Sequence, residues 1–257
     1  AEELIKRAVD GTVPVYHHTG AAGGESVSEG NDSIGRTIYK HLMNGVSHML
    51  PFVIGGGILI ALAFLFDDYS INPANFGKNT PLAAYLKTVG EQAFGMMLPI
   101  LAGFIAMSIA DRPGLAVGLV AGLIAKMGST FANPAGGDVN AGFLGALFAG
   151  FVGGYIVVGL RKLFSKLPKS LEGIKPVLLY PVIGIFLAAV VTTFINPYMG
   201  MINDGLTHFL NGMGGTSRIV LGMVLGGMMS IDMGGPFNKA AYVFGTAQLA
   251  EGNFEVM

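Results

Sequence analysis

Apolar residues come in blocks along this chain, separated by short polar stretches. Four blocks reach about the 20 residues that a helix needs to cross the hydrocarbon core of a bilayer. They are 46–66 ("VSHMLPFVIGGGILIALAFLF"), 93–110, 141–160 and 177–199. Two more, 114–127 and 219–231, are shorter and interrupted by glycine, as re-entrant or broken helices are. The pattern predicts an all-α, polytopic membrane protein with about six transmembrane helices and a broken or re-entrant helix near the C-terminus. The break is expected within "SIDMGGPFNKAAYVF" (230–244), because a helix does not pass smoothly through Gly234, Gly235 and Pro236.

The first 40 residues are of another kind. "AEELIKRAVDG" reads as the last helix of a soluble domain, stopped by Gly11. Residues 12–36, with "GAAGGESVSEGNDS", read as a flexible linker, and 37–257 as the membrane-embedded domain. A disordered tail is the competing reading of the opening residues. The chain starts with Ala1 and opens on no signal peptide pattern, so a region of a longer polypeptide is expected.

Composition sharpens this picture. Charged residues make up 12% of the 257 positions, half the roughly 25% of soluble domains. Mean hydropathy is +0.60. Forty glycines suit helices that approach closely in lipid. The chain has no cysteine, which excludes a disulfide framework, a thiolate metal site and a covalent thiol intermediate within it. No metal site and no resident cofactor are expected, and a net charge of −1 predicts no nucleic-acid face.

Charge also orients the helices. The loop "RKLFSKLPKSLEGIKP" sets Arg161, Lys162, Lys166, Lys169 and Lys175 against Glu172, which places it on the cytoplasmic side. Counting back, "DRPG" (111–114) and the N-terminus with Arg36 and Lys40 fall on the same side, and 67–81 falls outside. In "DRPG", Arg112 is pushed away from helix by Pro113, which itself suits a first helical turn. A tight turn is predicted there.

Ionisable groups inside the bilayer need a partner or a wet cavity. The opening stretch places Asp232, Asn238 and Lys239 beside Gly234 and Gly235. Two readings stand: a polar wall that meets a polyhydroxylated solute, or an internal Asp232–Lys239 ion pair holding a loop. His48, ahead of Pro51, is either a substrate contact or an interfacial histidine. Asn133, with Asp138 and Asn140 in "FANPAGGDVNAG", is either part of a site or of an ordinary outward turn. His208 in "LTHFLNGM" is read as structural, on an interfacial amphipathic helix. The 14 methionines fall mostly in apolar runs and are read as packing.

Taken in order, "YKHLMNGVSHMLPFVIGGGILIALAF", "SIADRPGLAVGLVAG", "GFLGALFAGFVGGY" and "GMVLGGMMSIDMGGPFNKAAYVFG" resemble the membrane-embedded IIC component of fructose-type permeases of the bacterial phosphoenolpyruvate-dependent sugar phosphotransferase system. The resemblance runs from about Ile38 to Phe244, and the N-terminal segments resemble the end of a IIB domain and its tether. It implies group translocation across the cytoplasmic (inner) membrane. The membrane domain would bind the sugar, by default fructose, and present it to a phosphocysteine on IIB. IIB is charged in turn through IIA, the small phosphocarrier protein and enzyme I. It also implies a homodimer. One departure stands out: the family's later "F-I-[ST]-E-G-A-I-P-F" type motif does not occur before Met257. A fragment or a truncated product is therefore expected, and an inactive fragment or an ion-coupled sugar carrier using Asp232 and Lys239 are the competing readings.

Overall fold

The computed structural model describes residues 34–137, 139, 141–166, 168, 172–211, 215–231, 241, 244 and 245. Among them every regular element is helical. Helix α1 is Ile34–Leu65, α2 Pro81–Gly95, α3 Met97–Met127, α4 Gly142–Leu163, α5 Tyr180–Asn211 and α6 Gly215–Ile231. A single π-helical turn, Lys175–Leu179, leads into α5. All six expected apolar blocks are helical.

Helix α1 is 32 residues long, about 48 Å at the usual helical rise. It begins well before the apolar block and buries one stripe, Met43, Val46, Met49, Val53 and Gly56, whose spacing keeps to one helical face. Its partner along that stripe is composite. The N-terminal part meets Leu101 and Ile105 of α3, through Gly45, and the C-terminal part meets Gly90 and Phe94 of α2, through Gly56. Helix α2 and the start of α3 thus continue one another, joined at Met96, which keeps helical φ and ψ. The Nζ of Lys126 donates to the Gly95 carbonyl at this joint (2.6 Å).

Helix α3 doubles back. Ala110 and Asp111 leave helical geometry, with Asp111 at φ 52° and ψ −154°. The first limb (97–109) and second limb (112–127) pack as an antiparallel hairpin, so the tight turn read at "DRPG" is present. A Cβ on Gly118 would lie 2.5 Å from the Ala106 Cβ, and one on Gly114 would meet the Ala106 carbonyl. Only glycine permits so close an approach. Helix α4 packs on both limbs: a Cβ on Gly150 would lie 2.9 Å from the Ala102 Cα, and Gly153 sits against Gly118. Val117, Ala121, Ala125, Ala149, Val157 and Ala188 fill the space between α3, α4 and α5.

Four stretches are long and apolar enough to cross a membrane: Ile34–Leu65, Pro81–Met127, Gly142–Lys166 and Lys175–Gly205. The second contains the hairpin. The outer face of α5 leaves Val182, Phe186, Val190, Phe194 and Tyr198 uncovered, as a lipid-facing helix does.

Two expectations change. The block 93–110 straddles the α2–α3 joint rather than forming one helix, and most of α2 lies ahead of it, outside any of the apolar blocks. The segment "LTHFLN" is the tail of α5, which runs on to Asn211, and not a separate interfacial helix.

Candidate functional site

Two of the expected site residues lie on described elements, His48 on α1 and Asn133 in the α3–α4 loop. Asp232, Gly234, Gly235, Asn238 and Lys239 lie outside the described residues, as do Asp138 and Asn140.

His48 belongs to a polar seam between α1 and the first limb of α3. His41, Asn44 and His48 share one face of α1, at helical spacing. The His48 ring stacks on Phe104, with centroids 3.9 Å apart and planes 10° from parallel. Its Nδ1 lies 2.8 Å from the Asn44 carbonyl. A carbonyl only accepts, so Nδ1 is the donor in this contact. The side chain of Asn44 donates to the Phe104 carbonyl (2.8 Å), and His41 Nδ1 is 2.7 Å from Ser108 Oγ. The seam ends beside the α3 break, where Arg161 of α4 donates to the Ala110 carbonyl (2.6 Å) and to Asp111 (3.2 Å).

Asn133 closes its own loop. Its backbone N–H donates to Thr130 Oγ1 (3.0 Å) and its side chain donates to the Gly136 carbonyl (2.9 Å). Its carbonyl accepts from the N–H groups of Thr130 and Gly136. The neighbouring Ser129 is buried, and its carbonyl accepts from Asn196 of α5 (2.8 Å), which also donates to Ile124 (3.2 Å). Thr192, one turn before Asn196 and also buried, has an Oγ1 without a hydrogen-bond partner among the described residues. His48 bonds within the α1–α3 seam, and Asn133 bonds within its own loop.

On the expected outer side, Asp67 organises the α1–α2 loop. It accepts from the N–H groups of Gly77 (2.6 Å), Asn79 (3.1 Å) and Thr80 (2.9 Å). Desolvation, the largest single effect, pushes its pKa up, but the hydrogen bonds from Asn79, Thr80 and Gly77 together outweigh it and hold the carboxyl below its ordinary value. Asp68 is likewise held down, first by the Ser70 hydroxyl and then by its N–H.

The seam residues His41, Asn44 and Ser108, and Asn196 in α5, were not singled out in the sequence. The signal at Asn196 was available: an amide inside the apolar run "VVTTFINPYM" must find a partner in the bundle. His41 and Ser108 are 67 residues apart, and only the packing of α1 on α3 brings them together. Chemically, the described clusters bind backbone carbonyls and brace helix breaks. Among the described residues there is no cluster of His, Cys, Asp or Glu fit to hold a metal ion.

Residues 43–257 match the family described as phosphotransferase system, EIIC. The chain is similar to the PTS system fructose-specific EIIABC component of Bacillus subtilis, 45% identical over 98% of this chain and 39% of that protein. It is also similar to the fructose permease IIC component of Bacillus amyloliquefaciens, 46% identical over 72% of this chain and 58% of that one. A third relative, the fructose-specific EIIABC component of Mycoplasma pneumoniae, is 40% identical over 85% of this chain and 33% of its own length. The chain thus spans between about a third and three-fifths of these relatives. No solved structure matches it.

Proposed function

The chain belongs to the EIIC family of the phosphotransferase system, and from that premise we propose that it is the sugar-translocating membrane subunit of a fructose phosphotransferase system. The observation that carries the reading is the match of residues 43–257 to the EIIC family, together with relatives whose names specify fructose. In this reading the bundle sits in the cytoplasmic membrane with its N-terminus and basic loop inside. It binds fructose and presents it to phospho-IIB, which IIA recharges, and it works as a homodimer. Residues 1–11 are the end of a IIB-like domain and 12–36 its tether, whose last residues, 34–36, already belong to α1.

The sugar site is proposed at the helix break 232–239. Gly234 and Gly235 let backbone approach the solute, Asn238 offers a donor and an acceptor to vicinal hydroxyls, and Lys239 offsets Asp232. His48 and Asn133 complete the proposed set. The residue types of this stretch support the placement: a carboxylate, an amide and an ammonium stand beside two glycines next to an apolar run.

The test is uptake of labelled fructose into vesicles bearing the protein, with and without phosphoenolpyruvate and the soluble components. Accumulation of fructose phosphate only with phosphoenolpyruvate is expected. Accumulation of free fructose driven by an ion gradient would overturn the reading.

A further inference from the structure

The α3 break opens onto a cleft of about 710 Å³, lined by Met107, Asp111, Arg112, Pro113, Ala116, Pro176 and Pro181. Its walls differ by depth. Asp111 and Arg112 stand at the break itself. Met107 and Ala116 sit a helical turn or more from it, about 6 to 8 Å further along their limbs. Those limbs belong to a stretch apolar enough to lie in a membrane, so the deep wall lies within hydrocarbon and the mouth lies at its edge.

The mouth is cationic. Arg161 holds the Asp111 carboxylate, while Arg112 is exposed and makes no ion pair among the described residues. Lys162, beside Arg161 in the last turn of α4, and Lys166 just after it add positive charge next to the break. A cationic mouth above an apolar trough between helices matches the two halves of a phospholipid.

We propose that this cleft binds one anionic phospholipid, its phosphate on Arg112 and an acyl chain along Met107, Ala116 and Pro181. Its lining shares no residue with the proposed sugar site, and it does not depend on which sugar is carried. The lipid would brace the hairpin turn against Pro176 and Pro181, where α5 begins.

The full-length protein in detergent is titrated with phosphatidylglycerol or phosphatidylcholine, following thermal midpoint and lipid retention by native mass spectrometry. Phosphatidylglycerol is expected to raise the midpoint saturably and to be retained, with phosphatidylcholine doing neither. Arg112→Gln should weaken the phosphatidylglycerol effect roughly fivefold, the worth of one cation at a lipid surface. Ala116→Phe fills the trough from an exposed position and should abolish the saturable part even if Arg112→Gln fails to fold. Equal effects of the two lipids overturn the proposal. So does a Lys166→Gln loss as large as that of Arg112→Gln, which would signal diffuse surface charge. Displacement by inorganic phosphate alone would make this a phosphate site. Ala116→Phe that spares lipid binding but blocks docking of phospho-IIB would make it a protein site.

Discussion

Arg161 and Asp111, 50 residues apart, meet where α3 turns back: two guanidinium nitrogens lie 3.2 and 3.3 Å from one carboxylate oxygen. Asp111 is there in a backbone region that side chains other than glycine rarely adopt, at a cost of order 1 to 3 kcal/mol. The carboxylate is largely exposed, and an exposed pair contributes at most about 1 kcal/mol. Strain outweighs the pair, so Asp111→Gly should raise the thermal midpoint in detergent. Arg161→Gln should lower it, because the Ala110 carbonyl loses its donor as well. A fall in midpoint for Asp111→Gly would show that the ion pair dominates.

Helices α1 and α2 touch through glycine. A Cβ on Gly56 would lie 2.8 Å from the Phe94 nitrogen and 2.9 Å from the Gly90 oxygen, both backbone atoms that cannot move aside cheaply. Gly56→Ala should destabilise by about 1 to 3 kcal/mol, the usual overpacking cost. Gly55 and Gly57 have nothing within 4 Å, so alanine there should be tolerated. The fraction of monodisperse protein after detergent extraction separates the two cases.

The Asp67 loop carries a pH dependence of defined sign. A carboxyl with a depressed folded pKa contributes stability that is present above its unfolded pKa and is lost as pH falls through the folded one. Amide exchange at Gly77, Asn79 and Thr80 should therefore stay slow down to about pH 4, the ordinary aspartate value, and quicken only below it. Asp67→Asn should quicken it already at neutral pH. Exchange that rises steadily from pH 7 in the unaltered protein would contradict this account.

Membrane orientation is tested by thiol labelling, which a chain without cysteine makes clean. Lys166→Cys should resist an impermeant reagent applied outside intact cells, and Asn75→Cys should react. The opposite result inverts the bundle.

The proposed sugar site is tested in the full-length protein. Asn238→Ala should weaken fructose binding on the order of ten- to a hundredfold, the equivalent of one lost buried hydrogen bond at about 1 to 3 kcal/mol. Asp232→Asn should impair binding yet still insert. Normal binding with reduced thermal stability in both would leave the stretch as a structural break.

Hydropathy made most of the helices legible. The turn at Asp111 followed from Arg112–Pro113, and each apolar block became helix. Helix α2 was not read, because Lys87, Glu91 and its other polar residues make it less apolar than the spanning blocks, and its start is marked only by Thr80 and Pro81. The Thr80 hydroxyl accepts from the Ala83 N–H (3.4 Å) and Pro81 takes the first helical position. The ends of α1 and α5 ran further than their apolar blocks, since Tyr39, His41 and Asn203 find neighbours in the fold that a hydropathy window does not count. At the candidate site, His48 and Asn133 were noticed as polar types in apolar settings. What they bond to was not legible, because Phe104 reaches His48 only through tertiary packing.

The contacts of Gly114, Gly118, Gly122, Gly150 and Gly153 are made mostly by backbone and by Cβ or methyl groups. Such surfaces hold almost no rotamers, so joining them costs little side-chain entropy. They also cannot repack, because there is no second side-chain arrangement to move into. A load applied to one limb of α3 is therefore passed to the other limb and to α4 without being absorbed, and the three helices respond mechanically as one stiff plate.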